Sequence, residues 1–391
     1  MRLKYSTATA LLAATLAAAE PCPPSLATIA NNVAALRHVA APFLPPCRFI
    51  SPASLRDELD VKLRRDLPLP PERYIESLWR LGLIDHEPDL VYPHLLDFYA
   101  SQVLGYYEPA KDEMVLLRQS NPASVSSRPV WAHELAHAAQ ERRFGLPTGL
   151  LAMRDDGDRQ RATSAVAEGD AILVMLVLTQ GGEDPGALRR NQRQLAAGAE
   201  TLTPPPGVPG FFVKELVFPY SQGFSTVLGT FERGGWSAVD RLLADPPATT
   251  AQLLHPDRTS SPAHLGDESL PPTPEGWATV FADTLGEWTL ASWLELRMAA
   301  DEASRLAAGW DGDRAKLIAR PDGTWALALA VRGRDHAAAA NLAAAFERHL
   351  PGLLVNLNPG TQPKVHMELA GTTISVTVDW PAPRRLPRSP S

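Results

Sequence analysis

Cysteine is nearly missing from this chain: two residues in 391, Cys22 and Cys47. Pro-rich segments surround both, far from any histidine cluster, so a cysteine-built metal site is not expected. No run of one charge sign forms a basic patch of the kind that nucleic acid requires; Arg384, Arg385 and Arg388 make only a short tail. Beyond the N-terminus no apolar stretch is expected to span a membrane, since the run Ile172–Leu178 is only seven residues. There is no internal repeat and no long low-complexity region. Proline, by contrast, is plentiful at 37 residues, clustered at 42–46, 67–71, 204–209 and 271–274, where it marks loops. The length fits one large or two moderate globular units.

The first residues set an expected compartment. Arg2 and Lys4 precede the alanine- and leucine-rich stretch Ala8–Ala19, and Ala17-Ala-Ala19 offers small residues before Glu20. That is the pattern of a secretory signal peptide, expected at 1–19, with a core too short for an ordinary transmembrane helix. An uncleaved anchor is the other reading. Glu20-Pro21 before Cys22 excludes a lipobox. Removing Arg2 and Lys4 leaves 35 basic against 44 acidic residues. A secreted or periplasmic protein folds where thiols oxidise, so Cys22 and Cys47 are expected to pair; two free thiols are the alternative.

The most informative segment is Trp131-Ala-His-Glu-Leu-Ala-His-Ala-Ala-Gln140. His133 and His137 are four apart, so on a helix both imidazoles leave one face and can share a zinc ion. Glu134 beside them can act as general base toward a zinc-activated water. Ser127 and Pro129 suit the helix start, Trp131, Leu135 and Ala138 give an apolar side, and Gly145 then Pro147 stop it. The bland alternative is an amphipathic helix whose histidines are merely solvated or packed.

A catalytic zinc site needs a third protein ligand. Gln140 and Arg143 stand where a metzincin would carry Gly and His. The best source is Glu168, which adjoins the apolar run 172–178 and so lies on a largely buried helix expected over 159–180; a buried acid is rare unless paired or bound to metal. Its competing explanation is an ion pair with Arg161 on the same face. Asp170, about 200° round an ideal helix from Glu168, is read as a supporting or capping group, one role being to orient a ligand histidine; plain surface exposure is the alternative. Glu141, Asp155, Asp156 and Asp158 are weaker ligand candidates, with 155–158 read as a solvated loop.

HExxH on one helix with Glu on the next resembles the gluzincin metallopeptidases, with 31 residues from His137 to Glu168. More closely, the chain is similar to a poorly characterised group of bacterial secreted zinc metallopeptidases. The segments that carry the likeness are the HELxHAxQ helix 133–140, Glu168-Gly-Asp-Ala171, Phe218-Pro-Tyr-Ser-Gln-Gly223, Gly234-Gly-Trp236, Leu254-His-Pro256 and Gly309-Trp-Asp-Gly-Asp-Arg314. They span roughly 100–315. The chain departs at Ala139-Gln-Glu-Arg142, where the group has Leu-Gln-Asp-Gln. The resemblance implies a zincin-like core and a second electrophile for the developing oxyanion. Tyr220 and His255 fall in the shared segments and are the candidates, with Tyr106 and Tyr107 also near. It also implies that an edge strand pairs with an extended substrate, a role expected of 113–117; an interior strand is the alternative.

The fold class expected is α+β, mainly helical, with a zincin-like core holding the HExxH helix and a small sheet. Helices are expected at 25–40, 52–66, 71–83 and 94–104, after which Gly105–Pro109 turns the chain. Residues 159–309 read as mainly helical. Pro321-Asp-Gly-Thr324 and Ala370-Gly371 are hairpin turns around a helix at 335–349, giving a C-terminal β-β-α-β-β subdomain. The division expected is 20–100, an N-terminal helical region; 101–310, the core; 311–382, the subdomain; and 383–391, a disordered tail.

The function expected is a secreted or periplasmic zinc-dependent metallopeptidase with a polypeptide substrate, Zn2+ as cofactor, no nucleic acid and no membrane span once the signal is removed. The alternatives are a noncatalytic zinc-stapled envelope binding protein and a zinc amidohydrolase acting on a non-peptide amide.

Overall fold

The structure is a computed structural model that describes residues 21–121, 123–180, 182–258, 260–355 and 363–380. The expected signal peptide at 1–19 and tail at 383–391 lie outside the described residues. The fold is mixed α+β, mostly helical, with two small sheets.

Proline opens most of the early helices: α1 (Pro24–Leu36), α2 (Pro52–Asp66), α3 (Pro71–Arg80) and α4 (Pro88–Gln102) each begin on one. At the first helical position proline costs no hydrogen bond, and its fixed φ favours the turn. Strand β1 (Cys47–Ile50) lies between α1 and α2, and Cys22 is disulfide-bonded to Cys47. β2 (Gly105–Glu108) and β3 (Glu113–Leu117) follow α4. The three form one sheet in the order β1-β3-β2, with β1 parallel and β2 antiparallel to β3. This corrects two expectations. Gly105–Glu108 is a strand rather than a turn, and 113–117 is the central strand, so the free edge belongs to β2 and β1.

Helix α5 (Arg128–Phe144) packs across this sheet with α1. Trp131, Leu135 and Ala138 meet Leu26, Val33, Met114 and Leu116 in one apolar cluster. Pro129 sits in the first turn and Gly145 ends the helix at φ 65°, as expected, but Ser127 makes no side-chain cap; its hydroxyl donates to the Asn121 carbonyl. A short α6 (Leu146–Gly149) leads to α7 (Gly157–Thr179), a long and largely buried helix. At 23 residues α7 is long and apolar enough to cross a membrane, contrary to the expectation that no segment is, but 72% of its most apolar window is buried within the protein. Nor is 155–158 a solvated loop throughout, because Asp158 is fully buried.

α8 (Pro185–Thr201), α9 (Gly210–Phe218), a π turn (Pro219–Gly223) and α10 (Phe224–Ala244) follow. Pro219 brings no N–H to the helical ladder, and the backbone widens to π geometry there. α10 bends at Gly234 and Gly235, the latter at φ 62°. α11 (Thr250–Leu254) opens with a Thr249/Gln252 capping box.

The second sheet begins earlier than the hairpin pattern suggests. β4 (Ala278–Asp283), within the stretch read as helical, pairs with β5 (Trp310–Ala319) across the intervening helices α12 (Gly286–Leu294) and α13 (Ala300–Ala307). β6 (Trp325–Gly333), α14 (His336–Val355), β7 (Lys364–Ala370) and β8 (Thr373–Trp380) complete it in the antiparallel order β4-β5-β6-β8-β7. Gly323 at φ 88° and Gly371 at φ 61° make the two expected hairpin turns. α3, α4, α9 and α12 share one apolar cluster with β5, β6, β8 and α14. α7 stands between that body and the smaller sheet, with neighbours on both sides.

Candidate metal centre

His133, Glu134 and His137 lie on one stretch of α5, and Glu168 comes to them from α7. His133 Nε2, His137 Nε2 and a Glu168 oxygen form the group of metal-ligating atoms found among the described residues. Their separations are 3.1 Å (His133 to His137), 3.1 Å (His133 to Glu168) and 3.5 Å (His137 to Glu168). Ligands held about 2.0–2.1 Å from a common tetrahedral centre stand roughly 3.3–3.4 Å apart, so this triangle has the size that a zinc ion needs. Arg161, the competing partner for Glu168, instead bonds Glu215 at 2.7 Å. The side chains of His133, His137 and Glu168 retain 11, 15 and 20% exposure, so the group is reachable from solvent.

The charges at this point act strongly on one another. Burial pushes the Glu168 carboxyl upward, but the two imidazoles outweigh it and hold the group below the ordinary carboxylate range. Burial pushes His137 downward, yet the Glu168 and Glu134 charges prevail and carry it up to about 10. Glu134 does not join the triangle. Its Oε2 accepts the Tyr107 N–H of β2 at 2.9 Å, which aims the carboxylate beside the histidines, and burial raises its pKa.

A buried polar chain fixes His137 from behind. Its Nδ1 donates to Gln140 Oε1 at 3.0 Å, and Gln140 Nε2 donates to the Ala167 carbonyl at 2.8 Å and to Asp170 Oδ2 at 2.9 Å. Asp170 in turn faces Arg37, the residue that follows α1, at 3.4 Å. Arg37 donates to Asp240 at 2.8 Å and lies over the Trp236 ring, and Arg143 makes two bonds to the same Asp240. Asp170 therefore reaches a ligand histidine only through Gln140. Gln140 is legible as part of the 133–140 motif, but nothing in the sequence assigns its role. Arg37 carries no local signal at all.

Of the two electrophile candidates, the structure brings one to the group. Tyr220, on the π turn, stacks on His133 with ring centroids 6.0 Å apart, and the Glu168 charge beside its phenol raises its pKa. The π turn is pressed onto α7: a Cβ at Gly169 would overlap the Gly223 backbone, and one at Gly223 would overlap the Ala165 carbonyl. His255 is held elsewhere, its Nε2 2.6 Å from Glu287 Oε1, with Arg258 on the other carboxylate oxygen. The expected catalytic role for His255 therefore finds no geometric support. Three of the four weaker ligand candidates are also engaged elsewhere. Glu141 accepts from the Thr148 N–H, Asp156 caps α7, and Asp158 accepts from the N–H and hydroxyl of Thr250. Tyr106 donates to Glu58 and Tyr107 to Asp112 through their hydroxyls.

Compared with known families, residues 276–376 match a domain of unknown function, DUF8575. That stretch covers β4 through the first half of β8 and leaves the histidine–glutamate group outside it. No curated protein and no solved structure matches the chain.

Proposed function

We propose that this chain is a zinc-dependent metallopeptidase of gluzincin arrangement, in which His133, His137 and Glu168 hold the metal and Glu134 is the general base. The observation that carries the reading is the triangle of three ligand atoms with a second carboxylate, Glu134, oriented beside it by a backbone N–H. A zinc ion bound there supplies a Lewis acid that polarises the scissile carbonyl. Glu134 takes a proton from the attacking water and hands it to the departing amine nitrogen. The Tyr220 hydroxyl donates a hydrogen bond to the oxygen on which negative charge develops.

Substrate pairing passes from β3 to β2. In the antiparallel ladder with β3, Tyr107 lies opposite Met114 in a non-hydrogen-bonded pair, so its N–H points outward. That outer edge ends at Glu134. An extended polypeptide laid along it is held through backbone hydrogen bonds, with little selection of side chains. The leader-like N-terminus supports a site of action outside the cytoplasm.

The test is Glu134→Gln. The variant is expected to retain one zinc per chain by elemental analysis and to lose about 10²–10⁴-fold in cleavage of casein or a peptide library. Unchanged cleavage with metal still bound would remove Glu134 from its role.

A further inference from the structure

The larger sheet ends differently on its two sides. At one edge, β4 has a register break between Thr279 and Phe281. Helix α3 lies against it, with the Tyr74 and Phe281 ring centroids 6.3 Å apart. A bulge and a covering element both blunt a strand edge against pairing with another chain. At the other edge, β7 keeps unbroken register with β8 from Lys364 to Ala370 and contains no proline. No further strand lies beside it among the described residues. Lys364, His366, Glu368 and Leu369 are exposed there, Leu369 to 42%.

The ladder fixes where the β7 backbone groups point. The Gly333 N–H of β6 donates to the Thr372 carbonyl, so every second residue of the last strand from 372 onward bonds toward β6. Thr373, Ser375, Thr377 and Asp379 bond the other way, to Ala370, Glu368, His366 and Lys364 of β7. The N–H and C=O of Val365, Met367 and Leu369 therefore point outward from the edge.

A second copy of this chain matches that edge. A two-fold axis through Met367 sets Val365 opposite Leu369 of the second copy and Met367 opposite itself. These are the residues with outward backbone groups, so each pair can exchange both of its hydrogen bonds. On the other side of the strand His366 stands opposite Glu368, with Lys364 diagonal to the same carboxylate. Symmetry makes each of these contacts twice. No like charges face one another. Within the chain, Lys364, His366 and Glu368 make no ion pair and no side-chain hydrogen bond among the described residues. The neighbouring registers fit worse. An axis at His366 brings Pro363, which has no N–H, opposite Leu369, and an axis at Glu368 sets that carboxylate against its own copy.

We propose that the protein is a two-fold dimer in which β7 pairs antiparallel with β7 of a second copy about Met367, joining the two larger sheets into one. The contact is isologous, so assembly through this edge closes at two chains. It rests on the edge alone and not on the metal reading above.

The experiment is analytical ultracentrifugation of the full chain. A dimer with a dissociation constant of about 10 µM or tighter is expected. Glu368→Lys puts a cation opposite His366 and near Lys364 at both ends, and should weaken the dimer at least about tenfold. His366→Glu combined with Glu368→Lys reverses the facing pair and should restore it. Leu369→Pro removes an outward N–H from each chain but none from the β8 ladder, and should also weaken the dimer at least about tenfold. Should that variant misfold, the charge reversal still decides. Met367→Cys, on the axis with Cα atoms about 5.5 Å apart, should form a covalent dimer on oxidation, whereas Lys364→Cys should not. A chain that stays monomeric up to about 100 µM overturns the proposal. So does a dimer that Glu368→Lys leaves at wild-type strength, or one that Lys364→Cys locks and Met367→Cys does not.

Discussion

Glu168 and Asp158 sit ten residues apart on the same helix, α7, both with carboxylates held in the interior, and they behave in opposite ways. Glu168 faces two imidazoles and is held below the ordinary carboxylate range. Asp158 faces the Thr250 N–H and hydroxyl, with Arg161 at a greater remove, and burial pushes it up to about 8. Asp283, which accepts the Gly157 N–H at 2.6 Å, goes the same way, to about 7. Burial is common to all three acids. What differs is whether the facing groups can carry positive charge. Neutral donors satisfy a buried acid as a structural tie, whereas a converging pair of imidazoles makes a place for a cation.

Three experiments press on this contrast. The largest effect is expected from exchanging the charge at each position. Glu168→Gln should fail to keep zinc through gel filtration and lose peptide cleavage to background, while Asp158→Asn keeps both. Zinc retained by Glu168→Gln would mean that this carboxylate is a tie like Asp158. A smaller effect is expected behind the site. Gln140→Leu cuts the His137 support from Asp170 and should lower zinc affinity about 10–100-fold in a competition assay with a chromophoric chelator. Unaltered affinity would make the chain from Gln140 to Arg37 mere packing.

The smallest effect is a matter of pH. Asp158 is neutral in the folded protein up to about pH 8, whereas an unfolded carboxyl ionises near its ordinary value of 3.8. Folding therefore favours the protonated form, and the stability it lends is lost as pH rises from about 4 to about 8. Asn at this position cannot ionise. The urea midpoint of Asp158→Asn should consequently fall below wild type by more at pH 5 than at pH 9, and a gap that widens toward pH 9 would contradict the assigned shift.

The difference between the two acids also marks what a sequence can show. The ends of α5 are legible because Pro129 and Gly145 act locally, and the α2 boundaries at 52 and 66 likewise. The candidate ligands are legible because their spacing along two helices encodes a shared face. Asp158 reads wrongly as solvated because its partner, Thr250, lies 92 residues on, and nothing near 158 announces burial. β4 escapes notice for a similar reason: its pairing partner, β5, comes only after two helices. The order β1-β3-β2 is out of reach too, since β1 joins β3 across three helices and no short pattern distinguishes a middle strand from an outer one.

The bond between Cys22 and Cys47 has a practical bearing. It fastens the start of α1, whose other end delivers Arg37 into the support behind His137. Material produced in a host compartment rich in glutathione would carry that helix untethered at its beginning. Assays on such preparations would understate what the oxidised protein does, so export or refolding under oxidising conditions belongs at the head of any purification.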